Sequence, residues 1–266
     1  MAAWSEAAKA LFSHTAGQMT RSVKGFVFLG LALFPWGLLL LLQLLIWRGV
    51  PVGLGGSTLY GNLVVAYYMG FLIPLCALFF GVALIADEAE GGTLPYLFGR
   101  PVPRHVVFLA KFAGMESVLL AGTAVSMAGA FVLSNLEAGA LGMAKGAGDF
   151  LMDLTAAWLG LLVYGALFSL IGLAFRRPLF WGFLVGFGWE NLVAWLPGFL
   201  KRITILFHLH TLMPEPTEPK GLLNLLAASE SKAAALAFLA VYGAAFLALS
   251  CVLARRIEAA HLEREG

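Results

Sequence analysis

Charged residues are scarce in this chain of 266: Asp, Glu, Lys and Arg make up 12% of it, about half the share of a soluble domain. With 61% hydrophobic residues and a mean hydropathy of +0.88, that deficit places the protein in a membrane. The formal net charge of +2 excludes the broad basic field that holds nucleic acid. Cysteine is nearly missing too. Cys76 and Cys251 both fall inside apolar runs, so they supply neither a disulfide framework nor metal-ligand spacing and read as small buried hydrophobes. No Asn-x-Ser/Thr sequon occurs. The first 25 residues hold Glu6, Lys9, His14, Arg21 and Lys24 without a continuous apolar core, which does not match a secretory signal peptide.

The usual carriers of chemistry are missing as well. An intramembrane serine hydrolase wants a Gly-x-Ser-x-Gly-like turn and a histidine at span depth. Ser126 and Ser169 lack that setting, and no spanning run holds a histidine. A phosphate-binding G-x-x-x-x-G-K-[ST] loop is absent, because residues 53–58 lack the lysine that reaches the phosphates. The chain therefore does not hydrolyse ATP by that route and reads as a non-enzyme with no catalytic residues. His208 and His210 stand near Glu215 and Glu218, but an i, i+2 pair points to opposite sides of a helix. They read as interfacial histidines, and no metal site is expected.

What is present is a set of six apolar runs, each near the ~20 residues that cross a ~30 Å hydrocarbon core. They lie at 26–47, 63–86, 112–133, 151–175, 179–197 and 233–253. The expected fold class is all-α: a polytopic bundle of six transmembrane helices over 26–266, behind an N-terminal amphipathic helix in 1–25. In that first segment Trp4, Ala7, Ala8, Leu11 and Phe12 recur at helical spacing. It reads either as a helix along the membrane surface or as a plain solvated leader. Pro35 and Pro74 fall mid-span and predict kinks. Arg176-Arg177-Pro178 is so short a turn that the fourth and fifth spans should be antiparallel neighbours. The Gly- and Ala-rich stretch 134–150 reads as a flexible loop. Residues 198–232 carry an apolar piece too short to span, a Pro-rich segment and four leucines. Two short helices in the outer leaflet are expected there.

Lys and Arg divide eleven to six between alternate connecting segments, which favours both termini in the cytoplasm. Four of the six minority charges lie in 198–232, the one segment that argues otherwise. Within the spans, Glu190 stands out. It lies eleven residues into the fifth run, so ~16 Å deep at 1.5 Å per residue, where a carboxylate is costly without a cavity or a partner. Two readings stay open: a pathway-lining or proton-sensitive group, or an anchor hydrogen-bonded to a tyrosine, to Gln43 or to a partner subunit. Glu116, Asp149 and Asp153 read as boundary markers near span ends.

The most informative stretch is 86–111, ADEAEGGTLPYLFGRPVPRHVVFLAK. Asp87, Glu88 and Glu90 precede Gly91-Gly92. Thr93 is a good N-cap, Pro95 is tolerated in a first turn, and Gly99 with Pro101 stops a helix. This predicts a short rigid surface helix presenting Leu94, Tyr96, Leu97 and Phe98, with Lys111 marking re-entry into lipid. Acids, Gly-Thr-Leu, then Pro-x-x-Arg and a lysine closely resemble the cytoplasmic loop of type-2 ABC exporter permeases, and the six-span layout extends that resemblance loosely along the chain.

The resemblance implies that 86–111 carries a coupling helix seated on a separate nucleotide-binding ATPase. Asp87, Glu88, Glu90, Gly92, Thr93, Leu94, Leu97, Arg100, Pro101, Arg104 and Lys111 would form the contact. Residues 1–25 would be a connecting helix and 198–232 an outer roof. It further implies a second permease copy, identical or related, meeting this one along the second and fifth spans, which brings Tyr67, Tyr68, Phe71 and Glu190 toward the interface or pathway. No cofactor is expected on this chain; ATP and Mg would belong to the ATPase partner. The place implied is the cytoplasmic membrane of a prokaryote, among its lipids. Substrate is not legible: aromatic, nearly uncharged spans suit an amphiphile, and equally a permease that passes nothing bulky and only relays motion, as mechanical work across the membrane, to a partner. An ion-gradient-driven transporter working through Glu190 and a membrane scaffold are the alternatives; against the first, no inverted repeat with paired broken helices is apparent.

Overall fold

The computed structural model describes residues 2–49, 55–90, 103–194, 199–214 and 231–265. All regular structure among them is helical. Helix α1 (Ala2–Arg21) turns at Ser22 into α2 (Val23–Trp47), the first span. The Ser22 hydroxyl accepts from the Gly25 amide at 3.0 Å and donates to the Met19 carbonyl at 2.9 Å, so one side chain caps the new helix and closes the old one. A β-carbon on Gly25 would stand 1.9 Å from the Met19 carbonyl oxygen. Only glycine fits that elbow. Beyond it, Phe28 and Trp36 of α2 lie over Gly122 and Gly129 of α5 (Arg104–Ser134), seven residues and two helical turns apart.

The second span is one continuous rod of three parts: α3 (Gly56–Asn62), a wider i→i+5 segment over Leu63–Leu72, and α4 (Ile73–Glu90). The widening has a local cause. Pro74 lacks an N–H and its ring crowds the carbonyl four residues back; just before it, the Ile73 amide reaches five residues back, to Tyr68. A kink or local break was expected there, and the i→i+5 segment is such a local departure from the α-helix, ending just before the proline.

Five helices among the described residues are long and apolar enough to cross a membrane: Val23–Trp47, Gly56–Leu84, Arg104–Ser134, Gly139–Ala174 and Lys232–Arg255. Six spans were expected. The fifth expected one, 179–197, is built from α7 (Pro178–Phe183), an i→i+5 segment Leu184–Trp189 and α8 (Glu190–Ala194). Its described part runs over Pro178–Ala194, and residues 195–198 lie outside the described ones, so this stack is not among the five. Two boundaries also moved. The third and fourth helices begin at Arg104 and Gly139, well ahead of their apolar runs. The expected loop 134–150 is thus a four-residue turn and the start of α6 (Gly139–Ala174). Its Ala, Leu, Met and Lys residues are good helix formers, and Phe150 packs on Phe131 with ring centroids 5.0 Å apart.

The core sits between α4 and α6, where small residues let the backbones approach as membrane helices require. A β-carbon on Gly81 would meet Phe168 Cβ at 3.1 Å and the Gly165 carbonyl at 3.2 Å, and one on Gly172 would meet the Val82 backbone at 3.0 Å. The fifth stack lays Gly182 on Leu78 and Gly186 on Phe168, leaving Phe180, Phe183 and Trp189 exposed. After a tight turn at Phe199–Ile203 comes α9 (Ile205–Leu212), and α10 (Lys232–Glu265) closes the chain. The second short helix expected near Leu222–Leu226 lies outside the described residues.

Candidate functional site

Polar groups lie at several places inside this apolar bundle, and three of them hold the residues singled out in the sequence. At the end bearing the 86–111 loop, Asp87, Glu88 and Glu90 continue α4 through its last turn, while Gly92, Thr93, Leu94, Leu97, Arg100 and Pro101 lie outside the described residues. Arg104 opens α5. Lys111, expected at the water boundary, is 8% exposed. The reason is that α5 starts seven residues before it, so its side chain packs within the protein. At this end Arg255 Nε of α10 donates to His105 Nδ1 at 3.3 Å, joining residues 150 apart in sequence. Helix α1 lies along the same half of α5, and a β-carbon on Gly114 would stand 2.8 Å from the Phe12 carbonyl.

The second place is Pro35, inside the continuous helix of the first span. Pro35 has no N–H, so the Leu31 carbonyl, four residues earlier, loses its donor. Tyr67 Oη donates to that carbonyl at 2.5 Å. The next carbonyl, Ala32, accepts from Ser126 Oγ. A serine hydroxyl has one proton, so the 2.7 Å contact between Tyr68 Oη and Ser126 Oγ has the tyrosine donating. Trp36 Nε1 donates to the Ser126 carbonyl at 2.8 Å. Three spans are thereby stitched across one proline, with Tyr68 and Ser126 fully buried. Tyr67 and Tyr68, placed at an interface or pathway by resemblance, use their hydroxyls inside the fold. Around Tyr67 the rings of Phe34 and Phe71 follow at 5.6 and 6.0 Å, and Phe71 meets Phe187 of the fifth stack at 6.5 Å.

The third place is Glu190, 4% exposed. Its Oε1 accepts from the Ile205 amide at 3.1 Å, and its Oε2 from the Leu206 amide at 3.0 Å and Tyr164 Oη at 3.1 Å. These amides belong to the first turn of α9. The Thr204 hydroxyl takes the Phe207 amide at 3.4 Å, and the Thr204 amide bonds to the Lys201 carbonyl at 3.1 Å. All four amides that a helix start leaves bare are therefore met, two of them by one carboxylate that also complements the positive helix end. Among the described residues, the hydrogen bonds of Glu190 run to α6 and α9, not to Tyr67 or Tyr68. Tyr164 was missed in the sequence; the signal was only that a deep carboxylate demands a donor.

Two boundary assignments need correcting. Glu116 is 2% exposed, three turns into α5 rather than one, because that helix starts at Arg104. Both its oxygens lack a hydrogen-bond partner among the described residues, and it fits only because Gly165 stands opposite, where a β-carbon would lie 2.0 Å from Oε1. Asp153 is 4% exposed, since α6 begins fourteen residues earlier. His208 is not interfacial: its ring stacks on Phe238 at 3.7 Å, and its Nε2 lies 2.8 Å from the Arg202 carbonyl.

Long apolar helices joined through glycine contacts, with bare backbone groups met by buried side chains, define an integral membrane protein. Residues 2–179, more than half of the chain, match the family model described as ABC-2 family transporter protein. The chain belongs to that family and is a membrane permease of the ABC transporter class. Comparison with curated proteins yields no match.

Proposed function

We propose that the chain is the pathway-forming subunit of an ATP-driven exporter whose motor is a separate nucleotide-binding ATPase. The family match over residues 2–179 carries this reading; it takes in α1, the first four spans and the whole 86–111 loop. In this reading the ATPase seats on that loop and on α1. The geometry supports the second contact, because α1 is fixed to α5 at Gly114 and to α2 through the Ser22 elbow. A push on α1 would therefore reach the bundle without slack. The permease acts as a pair, identical or related, along the second and fifth spans, in a prokaryotic cytoplasmic membrane with both termini inside. The cargo is an amphiphile, suited to aromatic faces that carry no ion pair.

Glu190 has three donors on its two oxygens, which leaves the ion-gradient alternative without an observation in its favour. The test is to express the tagged chain with candidate ATPase subunits and look for copurification and ATP-dependent efflux of a lipid-like dye from vesicles. Glu88→Lys, Leu94→Asp and Arg104→Glu should each release the ATPase while the permease still folds. Efflux that continues with no ATPase bound would sink the proposal.

A further inference from the structure

We propose that Tyr67 is a surrogate main-chain donor for the proline-containing first span, and that the weakened turn it clasps is the joint through which α1 moves the second span. The functional half of this rests on the permease reading above; the clasp itself does not.

Inside a bilayer no water reaches a bare carbonyl, so a proline in a span is tolerated only where another group satisfies it. Here the satisfying group comes from a different helix. Pro35 empties one site, the Leu31 carbonyl, and Tyr67 Oη fills that site. The Tyr68–Ser126–Ala32 relay then holds the adjoining carbonyl from the third span. Tyr67 and Tyr68 stand in the i→i+5 segment Leu63–Leu72, whose turns carry more than the usual 3.6 residues and so turn successive side chains differently from an α-helix. The first span stays one helix, Val23–Trp47, but Pro35 leaves it one main-chain hydrogen bond short. Below that level the span carries α1 through the rigid Ser22–Gly25 elbow, and above it the span is keyed by Trp36 over Gly129. At that level a side-chain hydroxyl takes the place of the missing bond, and a hydroxyl can swing where a main-chain hydrogen bond inside a helix cannot.

The prediction is epistasis. Pro35→Ala returns an N–H to the span, so the Leu31 carbonyl no longer needs the tyrosine. In the full chain reconstituted in lipid nanodiscs, Tyr67→Phe should lower Tm by about 2–4 °C, the size of one lost hydrogen bond in a chain of this length. In the Pro35→Ala background the same change should cost less than about 1 °C. Equal costs in both backgrounds overturn the surrogate-donor assignment. Should Tyr67→Phe alone give no folded protein, recovery of folded yield in the double variant is the same suppression, and failure to recover refutes it.

The joint is tested separately. Pro35→Ala should fold and retain any bound ATPase, yet lose ATP-dependent dye efflux severalfold; wild-type efflux from it overturns the joint. If the unaltered protein shows no ATP dependence while the Tm epistasis holds, the clasp stands and the permease mechanism is what fails.

Discussion

Pro35 within α2 and the start of α9 pose opposite problems. In the first span a proline leaves a carbonyl bare, and hydroxyl donors from the second and third spans come to it. Behind the fifth stack a helix start leaves amides bare, and a carboxylate acceptor comes to them. Both answers stand in or beside an i→i+5 segment, Leu63–Leu72 and Leu184–Trp189. The lesson is that the sign of the orphaned backbone group selects the side chain: tyrosine and serine for oxygen, glutamate for N–H. A buried carboxylate in such a bundle is therefore no proof of a transport site.

The largest effect should come from Glu190→Ala, which strands two α9 amides and the Tyr164 hydroxyl together. The expected loss is about 3–4 kcal/mol, read as a fall in thermal midpoint in nanodiscs, with Tyr164→Phe adding almost nothing on top of it. A loss under about 1 kcal/mol would show that the α9 cap is not what the carboxylate is for. On the other side of the comparison, Ser126→Ala orphans both the Ala32 carbonyl and the Tyr68 hydroxyl and should cost about 2 kcal/mol. Its backbone bond from Trp36 survives the change, which is why it ranks second. The smallest effect belongs to Glu116→Gln. That carboxyl touches no donor among the described residues, so an amide of the same shape breaks no hydrogen bond there and should shift stability by less than about 1 kcal/mol. A large loss there would reveal a partner that the described residues do not include.

Much of this was legible in the chain's pattern, and the failures share a cause. Apolar runs located the spans because lipid contact demands them, but they missed helix ends of mixed composition. Residues 104–111 and 139–150 are too polar or too small to register as membrane-crossing, yet they begin α5 and α6: the first is largely buried in the protein, while the second stays largely exposed and carries good helix formers. Glu116 and Asp153 were misread as boundary residues for the same reason. Pro35 announced a break, and Glu190 announced a need for donors. Neither named its partner, since Tyr67 lies 36 residues from Leu31, and Tyr164 lies 26 residues from Glu190. Such pairings depend on how the helices are arranged, which periodicity does not encode.

The seat of α1 on α5 also sets an order of events at the ribosome. Phe12 is made about a hundred residues before Gly114, the residue it will lie against, which at ribosomal elongation speeds is roughly 5–20 s. Throughout that interval the first helix is a finished part with nowhere to dock. Its Trp4 and Phe12 side chains, still 48% and 39% exposed after assembly, give it a waiting place on the headgroup layer. If α1 is the contact proposed above, the nascent chain would keep it on the lipid until the third span arrives to take hold of it.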